Sequence, residues 1–223
     1  MELVAFSFAA TVKPAQSKQS LDRARGAAST VPCTRTNHTV EPLELAAHIR
    51  RRRSNLQINP TSVVSRDVLQ ELCDAIMWAP NHKRTWPARI AIMSGESRHA
   101  LGDTIANVMA AQNENEVKVQ KTRGKYLRAP HIIVVGVARG DSDQRTRENQ
   151  YAVAAGVQNL LLLAEAHGLA ALWGSPADGA NDAINKLCSF DDDVEVIGLV
   201  YLGHPSGEVE QPVRPPTPLT WFD

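Results

Sequence analysis

Residues 129–175 read APHIIVVGVARGDSDQRTRENQYAVAAGVQNLLLLAEAHGLAALWGS, and three elements follow from that one stretch. The run His131 to Ala138, with IIVVGV at its centre, has the β-branched continuity of a strand buried on both faces, which makes it a central strand. Residues 146–168 then give the longest helix, apolar on most sides through Val153, Val157, Leu160, Leu161 and Ala164. A helix of that kind needs more than one covering surface, and a dimer interface supplies the second. Gly168 stops it, and Ala170 to Trp173 form a short strand. A central strand, a long helix and a second strand point to a sheet flanked by helices.

Upstream, Thr39 as a helix cap and Pro42 in the first turn precede Leu45, Ala46 and Ile49, a helix that runs into Arg50-Arg51-Arg52-Arg53-Ser54. A second helix follows Ser65, with the apolar pairs Val68/Leu69, Leu72/Cys73 and Ile76/Met77 recurring every four residues until Pro80 ends it. Ile90 to Met93 reads as a short strand, and residues 97–111 as a helix with Ala100, Leu101, Ile105, Val108 and Met109 on one face. Asn113 to Lys125 is polar, a mobile helix or lid. Downstream, Asp182 to Cys188 is helical, Val194 to Leu202 is the last strand, and a proline-rich tail from Pro212 to Asp223 is extended. No internal repeat is visible.

Residues 1–39 carry Lys13, Lys18, Arg23, Arg25 and Arg35 against Glu2 and Asp22 and show no apolar period. They read as a poorly ordered extension outside the main domain, residues 40–223. A transit peptide, a misplaced start and an arm that hugs a partner fit that composition alike.

With 43% hydrophobic and 22% charged residues, the 223-residue chain is long enough for one well-buried domain and too ordinary for a disordered, collagenous or disulfide-built protein. Lys+Arg 24 balance Asp+Glu 24, which leaves no molecular field to gather nucleic acid, so any anion site is local. Cys33, Cys73 and Cys188 lie far apart; Cys73 falls in an apolar helical pattern as a small core residue, and a reducing, cytoplasmic setting fits. No apolar run approaches the roughly 18 residues that span a bilayer, and the acidic start does not suit a secretion signal. The dinucleotide glycine motif, the phosphate loop, HExxH, GxSxG and paired metal-ligand spacings are all missing from the sequence.

Three polar clusters at element ends remain. In Arg50–Ser54, four arginines at about 100° per residue cannot share one helix face, so at most two converge on one ligand. Solvated cations at a helix C-terminus explain them, and so does a forked guanidinium pair with a hydroxyl gripping a phosphate. Ala79-Pro80-Asn81-His82-Lys83-Arg84-Thr85-Trp86-Pro87 is a helix stop followed by donors, a cation and an aromatic, readable as a site or a capped turn. In Leu172-Trp173-Gly174-Ser175-Pro176 a buried strand emits Gly and Ser, whose backbone approaches a planar ligand closely or simply turns.

Taken in order, the clusters resemble the FMN-dependent nitroreductase family. The likeness spans roughly residues 40–223: RRS at Arg52–Ser54, APNHK at Ala79–Lys83, the helix Tyr151 to Gly168, WGS at Trp173–Ser175, YLGHP at Tyr201–Pro205 and the PTPLTWF tail. APNHK, YLGHP and the tail look most like the compact bacterial branch. The resemblance implies an α+β fold of three layers, a mixed sheet flanked by helices, and a homodimer with the long helix buried at its interface. It implies that Arg52, Arg53 and Ser54 bind FMN, that Asn81, His82 and Lys83 reach the flavin of the partner subunit, that Trp173, Gly174 and Ser175 lie along the isoalloxazine and ribityl chain, and that Arg214 meets the phosphate. It also implies no catalytic side chain and no metal: hydride passes from NADH or NADPH to the flavin, then to a nitroaromatic or related electrophile, in a ping-pong cycle.

Two departures stand out. Many members have Gln-Pro-Trp where this chain has Arg84-Thr85-Trp86-Pro87, and the compact branch can carry arginines in the slots of Trp78 and Gly174. Core packing is the expected role of Trp78. Alternatives that keep the fold are enone or quinone reduction, dehalogenation, flavin fragmentation, or a flavin-binding protein without turnover. A nucleic-acid grip by the arginine run is opposed by the neutral charge balance.

Overall fold

The computed structural model describes residues 40–222; the extension 1–39 falls outside the described residues. Six α-helices and four strands follow one another there: α1 (Pro42–Arg51), α2 (Arg66–Asp74), β1 (Ala88–Ser94), α3 (Ser97–Ala111), α4 (Glu116–Lys125), β2 (His131–Ala138), α5 (Asp143–Ala166), β3 (Ala170–Gly174), α6 (Asn181–Cys188) and β4 (Val194–Gly203). Short 3-10 turns cover Ala75–Trp78, His82–Arg84 and Tyr126–Arg128.

Local chemistry sets the boundaries. The side chains of Ser65, Asn115 and Ser142 accept hydrogen bonds from the first free N–H groups of α2, α4 and α5. Pro42 sits at the start of α1, with Glu41 at the cap position; the expected cap, Thr39, lies outside the described residues. The turn after α5 closes on Gly168 at φ +67. The segment expected to be a mobile helix or lid is a regular helix from Glu116, tied by Val119 and Thr122, both buried.

The strand order is β1-β2-β4-β3, and all three pairings are antiparallel. The parallel component expected of a mixed sheet is reduced to one bridge, Ser54 to Ala171, on the outer edge of β3. β2 is central and its first seven residues are buried. Its side chains alternate between two cores: Ile132 and Val134 join Leu101, Ile105 and Ile184, while Ile133, Val135 and Val137 join Leu72, Val153, Val157 and Leu160. Helices therefore cover both faces, giving three layers.

One packing expectation needs correction. Trp78 is not a core residue; at the end of the turn after α2 it is 86% exposed. The long helix buries one face, including Asn149, Gly156 and Leu160, and leaves Tyr151, Ala155 and Gln158 exposed within the chain. Among the described residues no helix is long and apolar enough to cross a membrane.

Candidate functional site

The end of α1, the middle of α5 and the tail enclose a cleft of about 470 Å³ that contains Arg50, Arg52, Arg53, Gln158, Gln211 and Arg214. Three members of the arginine run line it, and two of them, Arg52 and Arg53, act on each other by charge. The 100° spacing does not govern this pair because the helix ends at Arg51 and Arg52 is already extended, at φ −55 and ψ 133. Arg51 leaves the group: its Nε donates to Glu165 on α5 at 3.0 Å, and its Nη2 lies 3.0 Å from Nδ1 of His48. Two hydrogen bonds hold Arg53, whose Nη1 donates to the carbonyls of Arg50 and, at 2.6 Å, of Arg52.

The tail reaches this place because its first residues are laced to the segment after the arginines. Asn55 Nδ2 donates to Gly207 O at 3.3 Å, Gln57 Nε2 to Glu208 O at 3.1 Å, and the amide of Ser206 to Gln57 O at 2.8 Å. Arg214 follows that lacing and brings a further guanidinium, whose charge acts on Arg52.

Like charges so close repel, and the environment registers it. Burial first, then the charges of Arg214 and Arg53, pull the Arg52 guanidinium below its ordinary pKa, with Glu165 working the other way. The Nε of Arg53 is buried without a hydrogen-bond partner. A buried donor left unmade costs about 1–3 kcal/mol, more on a charged group. An anion in the cleft would take that donor and offset the mutual repulsion of the arginines.

Ser54 connects the arginine cleft to β3: it bridges Ala171, and the amide of Asn55 donates to Ala171 O at 2.9 Å. Gly174 lies three residues further along the strand, roughly 10 Å away. The Trp173 indole is committed to the sheet, with its Nε1 donating to Ile197 O at 3.2 Å over Gly198, where a Cβ would come within 2.0 Å of that nitrogen. Trp173, 37% exposed, therefore offers a ligand its backbone and ring but not its indole N–H. Gly174 is open, since a Cβ there would meet nothing closer than 3.7 Å. Ser175 lines a second cleft, on the side of α4.

Asn81, His82 and Lys83 do not line the arginine cleft. The Asn81 side chain is spent on its own loop: Oδ1 accepts from the Trp86 amide at 2.9 Å and Nδ2 donates to Thr85 Oγ1 at 3.0 Å. Thr85 donates on to Asn149 Oδ1 at 2.7 Å, and Asn149, 2% exposed on α5, donates to Ala138 O at 3.0 Å. The chain locks an unusual backbone in which Lys83, Arg84 and Trp86 all have positive φ, 62, 53 and 49. Each such residue costs of order 1 kcal/mol and persists only where its surroundings over-determine it. His82 and Lys83 are held outward and exposed by that loop.

Sequence reasoning missed Asn149, the anchor of this lock, and Gln158 and Gln211 of the arginine cleft. The two glutamines carry no motif; only the facing of α5 and the lacing of the tail bring them in.

A three-layer α+β fold with an arginine cleft between its long helix and its tail defines a nitroreductase-like protein. The model of the Nitroreductase family matches residues 49–204, and the chain belongs to that family of oxidoreductases. The chain is 26% identical to YdjA of Escherichia coli, named as an NAD(P)H nitroreductase, over 159 residues, 69% of this chain and 86% of the relative. Among solved structures, a nitroreductase-like family protein from Bacillus cereus superposes with a TM-score of 0.66 at 27% identity, over 80% of this chain and 94% of that one. A Desulfovibrio desulfuricans protein, described as a nitroreductase in complex with FMN, shares the fold at 23% identity and a TM-score of 0.58, over 79% and 94%.

Proposed function

We propose that the chain is an FMN-dependent NAD(P)H oxidoreductase, a homodimer that reduces nitroaromatic or related electrophilic acceptors. One observation carries the flavin assignment: a cleft where the charges of Arg53 and Arg214 act on Arg52, and where the buried Arg53 Nε lacks a partner, suits a phosphate dianion. The separation along β3 fits the rest of the cofactor. Arg52, Arg53 and Arg214 would hold the phosphate of FMN, and Ser54 with the backbone of Trp173, Gly174 and Ser175 would hold the rest of it, where no side chain intrudes at Gly174.

Bound FMN supplies hydride acceptance from the nicotinamide and donation to the acceptor in alternation. The protein's part would be placement: the arginines would hold the phosphate end, and the end of β3, open at Gly174, would leave room for the ring. Relatives named for nitroreduction and NAD(P)H support the donor and the reaction class.

The homodimer rests on unpartnered apolar surface. No residue of α1 is buried, with Leu43 82% exposed, and Trp78, Tyr151, Trp221 and Phe222 are also exposed. Large apolar side chains left bare in this number mark an interface rather than a solvated surface. A second copy would also bring His82 and Lys83, which do not line their own arginine cleft, to its partner's flavin. The N-terminal extension remains outside the proposed catalytic unit, and a cytoplasmic setting fits the free thiols Cys73 and Cys188.

The test is an ultraviolet-visible spectrum of the FMN-loaded protein with anaerobic NADH, then NADPH, then a nitroaromatic. Flavin bands that bleach and recover establish the reading. Bands that persist under both donors point to a flavin binder without turnover, and failure to take up FMN overturns the assignment.

A further inference from the structure

The cleft beside Ser175 has a chemistry that the flavin does not use. Its volume is about 420 Å³, and it opens between α4 and the loop that leaves β3. Lys118, Lys121 and Lys125 recur at i, i+3 and i+7, so one face of α4 is a basic stripe, and Arg128 continues it from the next turn. Four cations line the cleft against two carboxylates, Glu114 and Asp178. Glu114 is taken by Lys118 at 2.9 Å, while among the described residues neither Lys121 nor Arg128 pairs with a carboxylate.

Met109, Pro176 and Ala177 add apolar surface to the same lining. Tyr126, also in the lining, is stacked on the buried Tyr201 with ring centroids 5.9 Å apart. The site thus joins a row of cations to apolar surface, the recognition chemistry of a nucleotide.

The spacing separates one phosphate from several. From Lys118 to Lys125 the helix advances roughly 10 Å, a turn or more beyond what a single phosphate contacts. A ligand that engages the stripe carries anionic groups spread over that length, as a dinucleotide with an additional phosphate does. Ser175 ends the segment assigned to the flavin ring, so the cleft begins where an electron donor must arrive.

We propose that this cleft binds the phosphates of the nicotinamide donor, with Lys121 and Arg128 as specificity-determining residues that favour NADPH over NADH; the assignment to the donor rests on the flavin reading above. The experiment titrates 2′,5′-ADP and 5′-AMP by calorimetry into the full chain and into a Lys121→Ala/Arg128→Ala variant. The expected result is affinity about tenfold higher for 2′,5′-ADP in the unmodified chain, shrinking to about twofold in the variant. Equal affinity for the two nucleotides overturns the proposal, and so does a preference that survives the double substitution. Should the alanine variant fold poorly, Lys121→Gln/Arg128→Gln gives the same reading with the side-chain length kept. FMN uptake by the same samples tests the flavin assignment separately. FMN bound with no nucleotide preference overturns this cleft alone, whereas a nucleotide preference without FMN uptake overturns the flavin reading and the donor assignment together.

Discussion

Arg53 and Arg51 are two positions apart and have opposite prospects. Arg53 has a buried, unmatched Nε in the cleft, whereas Arg51 is a largely exposed partner of Glu165. Removing a charged hydrogen-bond partner costs about 1.5–3 kcal/mol, so Arg53→Ala should weaken FMN roughly tenfold to a hundredfold. Exposed ion pairs contribute about 0–1 kcal/mol, so Arg51→Ala should change affinity less than about fivefold. Titration of flavin fluorescence against each variant checks both, and equal losses would contradict the geometry. His131 makes a second prediction at this scale. It is 4% exposed; its Nε2 accepts from the Val64 amide at 3.0 Å, so the proton resides on Nδ1, which donates to Ser94 Oγ at 2.6 Å. Burial, then Arg98, hold its pKa below the ordinary 6.5. Above 6.5 both folded and unfolded states are neutral here, so the group adds no pH dependence. Below it the unfolded chain takes up the proton first, so stability falls as pH drops from about 6.5 toward the native value. Urea midpoints at pH 7.5 and 5.5 should differ more in the unmodified chain than in His131→Gln, which keeps an acceptor without the titration.

At the scale of elements, the contact between α5 and the turn Ala75–Trp78 is made by a glycine. A Cβ on Gly156 would stand 2.5 Å from the carbonyl oxygen of Ile76, which is backbone and cannot swing aside. Alanine is favoured over glycine inside a helix by about 1 kcal/mol, but overpacking costs about 1–3 kcal/mol. Gly156→Ala should therefore lower the urea midpoint despite the better helix former; a rise would show that the turn gives way. Elements with a strong period were legible in the sequence: residues 97–111 and His131–Ala138 match α3 and β2 in full, and of the face expected for α3 Leu101, Ile105 and Met109 are buried while Ala100 is exposed. Trp78 was misread because a large apolar residue after an amphipathic helix looks like core until the helix tightens into a 3-10 turn and rotates it outward. The Asn81–Trp86 lock was beyond reach for a different reason. Positive φ at Lys83, Arg84 and Trp86 is written in no local propensity; it is imposed by Thr85 and by Asn149, 64 residues away in sequence from Thr85. The arginine site was legible as a cluster and not as a geometry, since the approach of Arg52 and Arg53 depends on where α1 stops.

For the whole molecule, the balance of charge and apolar surface argues for association. Equal numbers of Lys+Arg and Asp+Glu give net charge +0, so no long-range repulsion keeps copies apart. Meanwhile α1, packed against the rest of the chain through its polar contacts from His48 to Leu162 O at 2.8 Å and from Arg51 to Glu165, buries none of its residues. An amphipathic helix of 10 residues is marginal alone in water, so its apolar face needs a cover. Covering Leu43 and Tyr151, 82% and 68% exposed, would remove on the order of 1.5–3 kcal/mol of apolar exposure for each side chain fully buried. The full chain should therefore sediment at twice its 24.3 kDa at micromolar concentration. Leu43→Glu/Tyr151→Glu should shift it toward monomer, because a buried unpaired carboxylate costs several kcal/mol. Neither position lines the arginine cleft. If FMN needs His82 and Lys83 from the second copy, the double variant should also lose flavin as it dissociates. Retention of full FMN affinity by a monomer would place the complete cofactor site within one chain and remove that role of the partner.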